Sequence, residues 1–157
     1  MAHGAPDWWT RSRIDIIAQA LAYLKARPVY GEAKLEFGEK TIAANTVETL
    51  FSINGRGMTY GGIIYTIEGG NAENDKVSLY VDGTGIASMS FNTLKDLGLT
   101  RPNDWVMWVS TFNPDSWYWC MCIRYGITFD SQLRMVYDRN HDTNVKVNYK
   151  MVYALLE

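Results

Sequence analysis

The chain has 157 residues, of which 47% are hydrophobic and 20% are charged, and its net charge is −2 at pH 7. This size and composition are typical of one globular domain with a substantial core. A slightly acidic chain disfavours direct, non-specific binding to nucleic acid, and no apolar run reaches the ~18 residues that predict a membrane-spanning helix.

The first ten residues, MAHGAPDWWT, show no periodicity and contain the apolar pair Trp8 and Trp9. Gly4 and Pro6 discourage regular structure in this stretch. We therefore interpret residues 1–10 as an arm that docks either on its own domain or on a neighbouring subunit.

Residues 12–26 follow the spacing of an amphipathic helix, for which Ser12 is a suitable N-cap and Pro28 a stop. The apolar positions that recur at helical intervals are Ile14, Ile17, Ala18, Leu21 and Leu24. We assign residues 1–30 to an N-terminal arm and helix, and residues 31–157 to the domain that follows.

From about residue 33 the apolar period changes to two, which marks half-buried β-strands. The predicted strands are 33–37, 47–53, 60–67, 76–82, 86–91, 105–112, 117–124, 132–138 and 143–155. Many short strands separated by turn residues predict a mainly β protein, an antiparallel β-sandwich that is jelly-roll-like.

Two local signals refine this pattern. Asp82-Gly83 lies between two alternating runs and predicts a β-hairpin. Asn92 is a suitable cap for a short helix over 93–97, which Gly98 would end.

Residues 105–109 (WVMWV) and 117–123 (WYWCMCI) do not alternate, because both faces of each predicted strand are apolar. A two-layer sandwich buries only one face of a strand, so the second face needs a cover. Three covers fit the sequence: the N-terminal helix, another subunit whose contact is rich in aromatic residues, or a carbohydrate that stacks on tryptophan.

Motifs for catalysis are missing from the sequence. The two histidines, His3 and His141, belong to no nucleophile motif, and the chain has neither a P-loop nor a Rossmann fingerprint. Carboxylates in the 68–75 and 138–142 loops leave a small hydrolase as the remaining enzyme hypothesis. We predict that the protein is not an enzyme.

Metal and disulfide patterns are equally incomplete. Residues 138–144 resemble a calcium loop, but Thr143 replaces the required glycine and Tyr149 the bidentate glutamate. Cys120 and Cys122 would share one strand face at a spacing that suits a disulfide poorly, and they lack the second ligand pair of a zinc site. The sequence therefore predicts two reduced thiols, no metal site and no cofactor.

The opening His3-Gly4-Ala5-Pro6-Asp7-Trp8-Trp9 is similar to the starts of small virion proteins from tailed viruses. Ile127-Thr128-Phe129, Leu133-Arg134-Met135 and the terminal Tyr153-Ala154-Leu155 continue the resemblance in general style. The chain resembles the jelly-roll or β-sandwich proteins that decorate capsids, or build necks, tails and baseplates, in bacteriophages and archaeal viruses. The resemblance implies symmetric rings or trimers, no cofactor, and location in the virion after assembly in the host cytoplasm.

These observations predict a non-enzymatic virion structural protein that forms a symmetric homo-oligomer and contacts other virion proteins on a capsid or tail. The predicted oligomer or particle interface consists of Trp8, Trp9, Trp105, Trp108, Trp117 and Trp119. The alternative is a carbohydrate-binding or receptor-binding β-sandwich module whose partners are glycans.

Overall fold

The computed structural model describes residues 29–68 and 70–156. The strands are β1 (Lys34–Ile42), β2 (Val47–Asn54), β3 (Gly57–Glu68), β4 (Lys76–Val81), β5 (Thr84–Ser90), β6 (Met107–Asn113), β7 (Tyr118–Ile123), β8 (Thr128–Phe129), β9 (Gln132–Asp138) and β10 (Val145–Leu155). One short helix, α1 (Phe91–Asp96), joins β5 to the segment before β6 in this part of the chain.

The strands form two antiparallel sheets. The first sheet has the order β1-β10-β3-β7-β6, with β8 added to β3, and the second has the order β2-β9-β4-β5. The described chain passes from one sheet to the other six times, between β1 and β2, β2 and β3, β3 and β4, β5 and β6, β8 and β9, and β9 and β10. The first of these strands pairs along its whole length with the last. This wrapping is jelly-roll-like, so the predicted antiparallel β-sandwich is confirmed.

The hydrophobic core lies between the two sheets and follows the period of two. In β10, Val145, Val147, Tyr149 and Met151 point inward and are buried. Tyr149 meets Phe51 of the opposite sheet with ring centroids 5.7 Å apart. The outer face of the first sheet therefore carries the remaining residues of β10, β3, β7 and β6.

Some boundaries differ from the predicted ones. β1 continues to Ile42 because it pairs with β10, although residues 38–41 are too polar to show an apolar period. α1 is capped by Ser90 and not by Asn92, since the Ser90 Oγ accepts a hydrogen bond from the Thr93 N–H at 3.0 Å. Gly98 follows the helix with a φ of 71°, as the sequence predicts for a helix end.

The predicted hairpin at Asp82-Gly83 is confirmed, with φ angles of 51° and 81° that match a tight β4–β5 turn. The Asp82 carboxylate also accepts hydrogen bonds from the backbone N–H groups of Asp130, Ser131 and Gln132. These bonds lower the pKa of Asp82 well below its ordinary value of 3.8. The aspartate therefore ties the β4–β5 turn to the turn that precedes β9.

The N-terminal arm and the helix predicted for residues 12–26 lie outside the described residues. The described chain starts at Val29, and Tyr30 forms an isolated antiparallel bridge with Leu156. The Gly31 N–H donates to the Leu155 carbonyl at 2.8 Å. The chain thus enters the domain beside the end of β10. Within the described residues, no helix is long and apolar enough to cross a membrane.

Candidate interaction surface

The outer face of the first sheet is rich in apolar side chains that remain exposed in the described part of the chain. On β1, Leu35 is 53% and Phe37 66% exposed. The other large apolar residues exposed on or beside this face are Tyr60, Ile67, Tyr125 and Val152. Single exposed hydrophobic residues are ordinary, but a contiguous set on one sheet face marks an interaction surface.

The first part of this surface is an apolar groove of about 470 Å³, which we call the outer groove. Its walls come from all five main strands of the sheet and from the loop after β7. The lining residues are Leu35, Tyr60, Gly61, Gly62, Ile63, Trp108, Cys122, Ile123, Tyr125, Lys150 and Val152. Lys150 is the only charged residue among them, so the groove suits an apolar partner.

Two glycines form the floor of the outer groove. The β3–β10 register shifts between Val152 and Tyr153, next to Gly61, which has a φ of 118°. A Cβ at Gly62 would lie 2.8 Å from the Lys150 carbonyl oxygen and 2.8 Å from the Cε of the core residue Met151, so this position is also restricted to glycine. The bulge at Gly61, which has no side chain, leaves a depression between the larger residues on either side.

The second part of the surface lies at the opposite end of the same face, around the β6–β7 hairpin. We call Tyr65, Ile67, Trp117 and Tyr118 the aromatic end. Tyr65 and Tyr118 have ring centroids 6.1 Å apart, and Ile67 is 42% exposed. Trp117 lies in the hairpin turn with a φ of 54°, which is unusual for a residue other than glycine. Its ring is 5.9 Å from that of the core residue Trp119 and it remains 47% exposed, so it belongs to the turn at this end and not to the outer face itself.

The structure separates the tryptophans that the sequence groups into one interface. Trp105 is 54% exposed in the segment before β6, Trp117 is at the aromatic end, and Trp108 is half-buried in the outer groove. Trp119, by contrast, is 0% exposed and lies in the core between the sheets. Trp119 is therefore removed from the predicted interface: its place in β7 puts it on the inward face, where Phe112 packs edge-on at 6.4 Å. Trp8 and Trp9 lie outside the described residues.

Cys120 and Cys122 are free thiols on the outer side of β7. The Cys120 thiol hydrogen-bonds to Cys122 and lowers the pKa of Cys122 to about 6. The same bond, together with burial, raises the pKa of Cys120. Cys122 is the thiol that lines the outer groove, so the more acidic of the two also faces the candidate surface.

The polar loops that could have supported hydrolysis or metal binding are occupied by a structural network. The buried Asp75 carboxylate accepts hydrogen bonds from Arg139 Nη1 at 2.7 Å, Tyr137 Oη at 2.6 Å and the Asn140 N–H at 2.9 Å. Arg139 also donates to the Asn71 carbonyl at 2.9 Å. In the described residues, no group of three or more His, Cys, Asp or Glu side chains could hold a metal ion.

No protein-family model matches the chain, and no curated protein matches it. Among solved structures, the chain is similar to the crystal structure of the infectious bursal disease virus VP2 subviral particle, with 10% sequence identity and a TM-score of 0.27. The similarity covers 81% of this chain and 42% of that chain, so the protein spans less than half the length of VP2. A TM-score this low carries no argument about function.

Sequence reasoning missed the outer groove and placed the whole interface on tryptophans. The signal was present as Gly61-Gly62 inside a predicted strand, because paired glycines in a strand indicate a bulge or a close approach. The exposure of Leu35 and Phe37 had no comparable signal, since it depends on which strands lie beside β1.

Proposed function

We propose that the protein is a non-enzymatic structural subunit of a virus particle, which assembles as a symmetric homo-oligomer on a capsid or tail. The observation that carries the proposal is the aromatic end. The Tyr65 and Tyr118 rings pack with centroids 6.1 Å apart, and Ile67 and Trp117 are 42% and 47% exposed at the same end of the sheet. Aromatic residues are enriched in the cores of subunit interfaces.

The architecture supports an assembly role. The ten strands of the described chain build one sandwich whose described polar clusters, such as the Asp75 network, maintain the fold. The resemblance of the opening residues and the β region to virion proteins gives the kind of assembly, in which the partners are further copies of the chain and other virion proteins. The proposed location is the virion, after assembly in the host cytoplasm.

The test of self-association is the mass of the full chain in solution. Light scattering after size-exclusion chromatography is expected to give a multiple of 17.9 kDa. Truncating a central interface tryptophan commonly weakens association by about 2 kcal/mol or more, which is roughly 30-fold in Kd. Trp117→Ser is therefore expected to shift the equilibrium towards smaller species by at least that factor.

Val47→Ser is the matched control, because Val47 is 63% exposed on β2 of the other sheet and its loss should leave association unchanged. A wild-type chain that stays monomeric up to millimolar concentration would contradict the oligomer. Mass spectrometry of gradient-purified particles from the source culture tests the virion location, and absence of the chain from them would contradict it.

A second candidate, glycan binding, rests on the exposed indoles of Trp105 and Trp117. The amides near them are engaged in turns: the Asn113 Oδ1 accepts from the Ser116 N–H at 3.2 Å, and the Asn103 Oδ1 from the Trp105 N–H at 2.8 Å. The two amide oxygens are therefore less available to accept hydrogen bonds from a sugar, which favours the assembly proposal over glycan binding. Tryptophan fluorescence across a glycan panel tests the candidate, and an unchanged spectrum with every glycan would remove it.

A further inference from the structure

The outer groove lies beside the point where the N-terminal segment joins the domain. Tyr30 pairs with Leu156, and five residues later Leu35 is already part of the groove wall. The segment before Val29 therefore starts from the β1 edge of the face that carries the groove. Because residues 1–28 are covalently joined to the domain at this edge, their effective concentration at the groove is high. A separate molecule has no such advantage over them.

The length of the predicted helix matches the width of the sheet. A helix over residues 12–26 would be about 22 Å long at 1.5 Å per residue. The five strands from β1 to β6 are separated by four intervals of about 4.8 Å, or about 19 Å in total. One helix of this length therefore reaches from β1 to β6 across the groove.

The chemistry of the two surfaces also agrees. The helix pattern presents one apolar stripe, formed by Ile14, Ile17, Ala18, Leu21 and Leu24. The groove presents apolar walls around a glycine floor, and a helix stripe needs such a depression for its side chains.

We propose that the helix predicted for residues 12–26 docks in the outer groove of its own chain, running from β6 at its first residue to β1 at its last. A helix covers a strip only about 10 Å wide. Along β3, Ile67 of the aromatic end is four residues or about 13 Å from Ile63, and Tyr65 is two residues or about 7 Å away. A helix centred on Ile63 would reach only the near edge of the aromatic end and would leave Ile67 and the hairpin turn uncovered. The inference goes beyond the proposed function, because it concerns the half of the face that assembly does not use.

A disulfide trap tests the docking in the full-length chain. In the proposed docking, counting about 1.5 Å per residue back from β1 would put residue 17 over β7, which carries Cys122. Ile17→Cys in a Cys120→Ser background is expected to form an intrachain disulfide with Cys122 under mild oxidation. Gln19→Cys in the same background is the control, because it lies on the opposite side of the predicted helix and should form none.

The products distinguish the occupants on a non-reducing gel. A faster monomer band with Ile17→Cys alone supports docking in the same chain. A disulfide-linked dimer would overturn the proposal in favour of the segment of a second copy, and equal slow oxidation of both variants would overturn it in favour of an open groove. All three results are read from covalent products, so they do not depend on whether the assembly proposal holds.

Hydrogen–deuterium exchange of the unmodified chain provides a second test that needs no variant. Amides of residues 12–26 are expected to exchange at least tenfold more slowly than in a free peptide of the same sequence. Exchange at the rate of the free peptide would overturn the docking even if the cysteine variants fail to fold.

Discussion

The buried Asp75–Arg139 pair gives the sharpest prediction about stability. The Asp75 carboxylate and the Arg139 guanidinium are 2.7 Å apart, and their side chains are 1% and 0% exposed. Asp75→Asn keeps the shape of the side chain but removes the buried counter-charge of the guanidinium. Breaking one partner of a buried pair destabilises a protein by about 3–5 kcal/mol.

The expected loss is therefore about 3–5 kcal/mol in the free energy of unfolding, which corresponds to a fall of roughly 6–20 °C in Tm for a chain of this size. Urea unfolding followed by circular dichroism measures it. Asp130→Asn is the matched control, because the Asp130–Arg56 pair is 2.8 Å apart but 78% and 64% exposed. An exposed pair contributes at most about 1 kcal/mol.

Equal losses in the Asp75 and Asp130 variants would refute the reasoning, since burial would then make no difference. The double variant Asp75→Leu with Arg139→Met separates charge from packing. It is expected to be more stable than Asp75→Asn, because it buries no charge that lacks its counter-charge. A double variant that is less stable than Asp75→Asn would show that the network acts through its geometry and not through its charges.

Three further predictions follow from individual residues. Asp82→Asn is expected to lower Tm at neutral pH. Because folding lowers the pKa of Asp82 from 3.8, the stability that the Asp82 carboxylate contributes is complete above pH 3.8 and shrinks as the pH falls below it. The curves of Tm against pH for Asp82→Asn and for the wild type should therefore converge in acid. Gly62→Ala is expected to destabilise the fold by about 1–3 kcal/mol in urea unfolding, since its Cβ would lie 2.8 Å from backbone, whereas Gly85→Ala, with its nearest contact at 3.4 Å, should be close to neutral. Iodoacetamide at pH 7 is expected to modify Cys122 before Cys120 by mass spectrometry, because the pKa of Cys122 is lowered to about 6.

Each of these has a clear contrary result. Parallel Tm curves for Asp82→Asn and wild type down to about pH 2 would remove the titration argument. A neutral Gly62→Ala would show that the β3–β10 contact relaxes freely. Equal labelling of the two thiols would mean that the hydrogen bond between them does not control their acidity.

The fold class was predictable because it depends on local pattern. The alternation in residues 143–155 predicted β10, and it predicted the buried face correctly from Val145 to Met151, since successive side chains in a strand must point to opposite sides. Beyond the register shift at Val152/Tyr153 the pattern is wrong, because Ala154 is the buried residue there. Asp82-Gly83 gave the hairpin, because its positive φ angles suit Gly and are tolerated by Asp. The cap of α1 was harder, because Ser90 and Asn92 are both suitable caps and the hydrogen bond to Thr93 decides between them.

The interaction surface was predictable only in part, because a local pattern does not show how the sheets pack. Residues 105–109 and 117–123 indicated that a second face of the sheet is apolar, but the sequence could not distinguish the buried Trp119 from the exposed Trp117. Trp119 became a core residue because the second sheet covers the inward side of β7, and Trp117 stayed outside because it is in the turn. Which face is inward depends on how the sheets pack, and no local pattern contains that information.

The sequence by itself determined that this chain is a β-rich domain with too many aromatic residues for an ordinary surface, because composition and period are properties of neighbouring residues. The tertiary structure decided where those residues go. It brought β1, β10, β3, β7 and β6 side by side from distant parts of the chain, and so joined Leu35, Gly61, Trp108 and Val152 into one groove. Such a surface exists only after long-range strand pairing, since its members are up to 117 positions apart in the sequence.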